Sequence, residues 1–144
     1  MWRKLERLGV ARLGDGLVAV PADARTREHI GWLADEIVEG GGSASVWLSV
    51  PATRAQEEEI ASGMRAARAA EYRAVLDQAV ALGGVAEPER SRTVRRLRAE
   101  LHRIARRDYF APPERDAARL AVQATAEGLP AIAADHVGRS RGQA

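Results

Sequence analysis

Cysteine is absent from the 144 residues, which excludes a disulfide framework, a thiolate zinc site and a cysteine nucleophile. Lysine is nearly absent too: 21 of the 22 basic residues are Arg and one is Lys4, against 20 acidic residues, for a net charge of +2. Large apolar residues are scarce. Leu, Val, Ile and Phe together make 30 of 144 residues, and the 46% hydrophobic content owes much to 29 alanines. That share lies just above the level of roughly 20% at which strongly charged chains stay disordered. With so small a net charge, the expectation is a folded domain with a thin core. No apolar run approaches the ~18 residues of a membrane span, and the first residues are charged, unlike a secretory leader. A soluble, cytoplasmic protein of single-domain length is predicted, with no membrane partner.

The first third of the chain is mixed and the remainder helical. Trp2, Leu5 and Leu8 recur at helical spacing, and Gly9 stops that helix. Val10 to Leu13 and Leu17 to Val20 flank Gly14-Asp15-Gly16, a hairpin signal closed by Pro21. Asp23 is placed to cap a helix to about Glu39, with Ile30, Leu33, Ala34 and Ile37 on one stripe, and three glycines end it. Ala44 to Val50 reads as a third strand, closed by Pro51. Thr53 and Gln56 form a capping box for a helix to about Leu82, with Glu57, Glu58 and Glu59 at its positive end. Pro88 opens a helix to about Tyr109, and Pro112-Pro113 one to about Glu127.

These elements predict an α+β fold: a ferredoxin-like βαββαβ unit lacking its first strand, followed by three helices. The expected organisation is a truncated α/β part at 1–51, a helical part of the same domain at 52–127, and a flexible tail at 128–144. In a ferredoxin-like sheet the first strand is internal, so its loss leaves unpaired edges.

No catalytic constellation is visible, and no enzyme, metal site or cofactor is expected. His29, His102 and His136 lack metal-ligand spacing. Gly40-Gly41-Gly42-Ser43 follows an expected helix and precedes an expected strand, whereas a phosphate loop runs from strand to helix. Ser43, Ser45 and Ser49 have no neighbouring base. Trp2, Trp32 and Trp47 are expected in the packing of the first two helices on the sheet, although Trp32 lies off the apolar stripe. Asp108-Tyr109-Phe110 is expected to staple the end of the preceding helix to the core.

The segment from Glu89 to Tyr109 stands apart. Val94, Leu97, Leu101 and Ile104 make an apolar seam suited to a core or a dimer contact. At about 100° per residue, Arg92, Arg95, Arg96, Arg103, Arg106 and Arg107 fall together on the opposite face. Such a face can track a phosphate backbone and release counterions. The plainer reading is a solvated helix face with Arg96 and Glu100 as an i,i+4 pair.

Four stretches resemble the N-terminal domain of ChrB, the regulator of bacterial chromate-resistance operons. They are WRKLERLGVARLGDGLVAVP at 2–21, WLADEIVEGGGSASVWLSV at 32–50, the Glu71-Tyr72 helix, and RRLRAELHRIARRDYF at 95–110. The resemblance implies a DNA-binding transcriptional regulator with chromate as inducer. Larger members of that family carry a second domain to which nothing here corresponds. They also begin with an apolar strand before the Trp-Arg-x-Leu helix, so the natural protein is expected to start some 20–30 residues before Met1. The leading expectation is thus a homodimeric regulator, or its DNA-binding half, with the six arginines on phosphates and chromate as possible inducer. The alternative is a helical interaction protein whose Arg face meets an acidic partner. A metal-dependent nuclease on the same scaffold would need an acidic residue on the strand this chain lacks.

Overall fold

The computed structural model describes residues 1–131. Among these residues the protein is α+β, with five helices and one two-stranded antiparallel sheet. The elements are α1 (Trp2–Leu8), β1 (Ala11–Gly14), β2 (Leu17–Ala19), α2 (Ala24–Glu39), α3 (Arg54–Ala81), α4 (Glu89–Ala105) and α5 (Glu114–Ala126). They fall into two compact units: Met1–Met64 with Arg107–Phe110, and Arg65–Arg106 with the described residues after Phe110.

In the first unit, local chemistry sets the element ends. Gly9 takes φ 76° at the end of α1, a conformation open to glycine without a Cβ penalty. The β1–β2 hairpin pairs Ala11 with Ala19 and Arg12 with Val18, and its register shifts between Arg12 and Gly14. Asp23 caps α2 by accepting from the Thr26 N–H at 2.8 Å, and the Thr26 hydroxyl accepts from the Asp23 N–H at 3.2 Å. That reciprocal box holds the Asp23 carboxyl below its usual value, chiefly through the Thr26 backbone hydrogen bond. Thr53 Oγ1 accepts from the Gln56 N–H at 3.2 Å, which is one half of the expected capping box. Tyr109 Oη donates to the Leu8 carbonyl at 2.6 Å, tying the chain after α4 to the end of α1.

Two expectations for this unit are corrected. The segment Ala44 to Val50 is not a strand of the sheet, which holds only β1 and β2 among the described residues. A period of two names the faces of a strand but not its neighbour, and here no neighbour is present. The three tryptophans do not form the packing of the helices on a sheet: Trp2 is 42% exposed, Trp32 59% and Trp47 82%. Arg12 stacks its guanidinium 4.5 Å over the Trp2 ring, and His29 meets Trp32 edge-on at 5.4 Å. Within α2 the stripe of Ile30, Leu33, Ala34 and Ile37 reaches only half burial, and Thr26 is its buried residue.

The second unit contains the core. Tyr72, Val75 and Ala79 of α3 pack with Val94, Leu97 and Ile104 of α4 and with Ala118, Ala121 and Val122 of α5. Alanine at 79, 118 and 121 lets helix backbones approach closely, so few large side chains fill the space. Thr125 Oγ1 lies 2.8 Å from the Ala121 carbonyl and 3.2 Å from that of Ala79, so the buried hydroxyl is satisfied. Of the tail expected at 128–144, residues 132–144, His136 included, lie outside the described residues.

Candidate nucleic-acid interface

Helix α4 is where the sequence concentrates positive charge, and its amphipathic pattern decides which side is open. Val94, Leu97 and Ile104 are buried and Leu101 packs against them, so the apolar seam is core rather than a dimer contact. Turning that seam inward leaves Arg92, Arg95, Arg96 and Arg103 exposed along α4, with exposed Arg106 as its C-terminal cap. The structure therefore brings four of the six arginines onto one helix and a fifth to its C-cap. Arg107 follows the helix end, is half-buried and belongs to the first unit. Helical periodicity placed it with the others because the sequence carries no stop signal at Ala105.

The partners of these arginines differ from the expected ones. Arg96 donates to Gln78 Oε1 on α3 at 2.9 Å instead of pairing with Glu100. Glu100 accepts from Arg103 Nε at 3.0 Å, an i,i+3 pair on the exposed surface. Arg92 and Arg95 make no ion pair among the described residues. The basic residues of the last turn, His102 and Arg103, also complement the negative end of the α4 dipole, as Glu89 does at its start.

Periodicity alone missed two further arginines. Arg90 and Arg98 join Arg95 around an open cleft of about 350 Å³, completed by Glu87, Ser91, Val94 and Ala126. By helical angle Arg90 lies over the apolar seam and Arg98 at its edge, so only the placement of α5 reveals the cleft. Glu87 accepts from Arg90 Nε at 3.1 Å and pairs with its Nη2 at 3.0 Å. Its carboxyl lies below the usual range, first through a hydrogen bond from the Ser91 side chain and then through Arg90. Arg98 reaches Gln123 Oε1 at 3.5 Å. His29 lies within hydrogen-bond distance, 2.8 Å, of the Arg25 carbonyl on its own helix. Among the described residues no three His, Asp or Glu stand together as metal ligands. No helix there is long and apolar enough to cross a membrane.

The family model described as "Protein ChrB, N-terminal" matches residues 1–82, more than half of the chain. The chain belongs to this family. The ChrB match takes in the stretches at 2–21 and 32–50 and the Glu71-Tyr72 pair, whose tyrosine is 1% exposed in the core. It ends before α4, so the basic helix lies beyond the matched residues. No curated protein and no solved structure matches the chain.

Proposed function

We propose that this ChrB-family chain is a non-enzymatic transcriptional regulator of chromate resistance, or its DNA-binding half. It acts as a homodimer whose α4 arginines contact the phosphate backbone. The observation that carries this reading is the exposed row of Arg92, Arg95, Arg96, Arg103 and Arg106 above a buried seam. Arginine forks suit phosphate oxygens, and a rigid, packed helix presents them at fixed spacing. Each phosphate contact lowers log K by about 0.9 per decade of salt.

Fluorescence anisotropy on labelled DNA from upstream of the protein's own operon tests this. The Arg92→Ala/Arg95→Ala variant is expected to bind all sequences more weakly, with a salt slope flatter by about 1.8. Unchanged affinity and slope in that variant would remove α4 from the DNA contact. Retention of an acidic protein in place of DNA would support the interaction-protein alternative.

Arg95 belongs both to the exposed row and to the cleft, so an oxyanion held between Arg95 and Arg98 would withdraw Arg95 from phosphate. Glu87 already neutralises Arg90 there. Release of DNA by chromate but not by equal sulfate, abolished in Arg98→Ala, is the expected result. Release by both anions alike would reduce the effect to ionic strength.

A ferredoxin-like sheet is proposed as well. It requires Ala44–Val50 to be hydrogen-bonded as a strand within one chain, and slow amide exchange across those residues in a monomeric protein is its mark.

A further inference from the structure

Among the described residues, the segment Ala44–Val50 is the most exposed apolar stretch. Val46 is 51% exposed, Leu48 63%, Trp47 82% and Val50 87%. No backbone group from Ser43 to Ala52 takes part in a backbone hydrogen bond among the described residues. Trp47 Nε1 donates to Ser45 Oγ at 3.0 Å, so side chains two positions apart share a side, as in a pleated strand. The first unit around it buries Gly9, Thr26, Ala61 and Met64, of which Met64 alone is a large apolar side chain. An exposed apolar segment whose backbone groups are unpaired is a template for strand pairing.

Two features of the sequence specify which strand. The run from Gly40 to Thr53 carries no charge, in a chain that is 29% charged. The segment is also nearly palindromic about Trp47: Val46 mirrors Leu48, Ser45 mirrors Ser49, and Ala44 mirrors Val50. Laid antiparallel against itself with the twofold axis at Trp47, it matches apolar to apolar on one face. On the other face serine lies opposite serine and Trp47 opposite Trp47. Nothing charged opposes anything charged. Cross-strand aromatic and β-branched pairs are the contacts that stabilise a strand pair. We infer that Ala44–Val50 is a homotypic docking strand that joins two copies of this chain antiparallel about Trp47.

The inference is independent of DNA binding; it concerns the partner, and dimerisation persists whether or not the α4 arginines meet phosphate. The absence of cysteine makes the register directly readable. In the proposed pair, residue 45 of one copy lies opposite residue 49 of the other. Residue 45 of one copy and residue 45 of the other are about 13 Å apart along the strands, beyond disulfide reach. A mixture of Ser45→Cys and Ser49→Cys protein is therefore expected to cross-link on mild oxidation. The rate should exceed that of either variant alone by on the order of tenfold or more. Equal rates in the mixture and in the single variants would signify random collision and overturn the proposal.

Sedimentation of V46K/L48E against V46K/L48K provides a second reading that leaves Trp47 and both serines intact. The register sets opposite charges across the axis in the first variant and like charges in the second. The first is expected to dimerise at low salt and the second to remain monomeric. If both behave alike, the register is wrong. A monomeric wild-type protein with slow amide exchange over 44–50 would mean that the chain's own sequence covers the strand, and would equally overturn the proposal.

Discussion

At the scale of single residues, two hydrogen bonds carry predictions. Tyr109 Oη to the Leu8 carbonyl joins positions 101 apart in the chain. Tyr109→Phe removes that donor and leaves a part-buried carbonyl unsatisfied, an expected loss of about 0.5–1.5 kcal/mol in denaturant unfolding. The Asp23 cap carries a pH signature. Its carboxyl is lowered from an ordinary 3.8, mainly by the Thr26 backbone hydrogen bond. The stabilisation is therefore present in full above the unfolded value and fades as pH falls through the lower folded value. Asp23→Ser keeps a capping oxygen without a titrating group. The difference in thermal midpoint between wild type and this variant should change as pH drops below about 4; a constant difference would contradict the assignment. The Asp23 cap was legible in the sequence because a cap is chemistry over four neighbouring residues; the answering Thr26 hydroxyl emerged only with the structure. The Tyr109 bond was legible only as a general staple, since its acceptor is a backbone carbonyl in distant chain.

At the scale of elements, α4 and the segment 44–50 show what periodicity transmits. The α4 seam was readable because a 3.6-residue period is written within one stretch of chain, and the buried Val94, Leu97 and Ile104 follow it. Leu97→Ala, at a wholly buried position, should cost about 2–5 kcal/mol. Leu120→Ala on α5, at a side chain 70% exposed, should stay within about 0.5 kcal/mol. Urea unfolding of the two variants checks the contrast, and equal losses would contradict the packing described. The arginine partners were less legible. Glu100 lies three residues before Arg103 and four after Arg96, so both pairings are sterically open on a helix. Gln78 on α3 offers Arg96 another acceptor that no local pattern reveals. Strand pairing is less local still: Ala44–Val50 has the alternation of a strand, but alternation does not reveal that β1 and β2 pair only with each other.

At the scale of the molecule, apolar burial is unevenly shared. Tyr72, Val75, Leu97, Ile104 and Val122 are buried together in the second unit, whereas α1 contains no buried residue and α2 only Thr26. Hydrogen exchange should register this division. Amides of α4, α5 and the second half of α3 should exchange most slowly, and those of α1, β1, β2 and α2 should be faster. Uniform protection would mean that the first unit has cover beyond the described contacts. The overall class, α+β with helices dominating the second part, was legible from glycine and proline punctuation; the uneven burial was not, because burial depends on which faces meet. The first unit is also discontinuous in sequence, with Arg107–Phe110 returning to it after the whole of α4. During synthesis, then, the amino-terminal elements leave the ribosome long before the tyrosine that fastens them. The first unit completes its contacts only once residue 110 has been translated, although its first helix is among the earliest segments made.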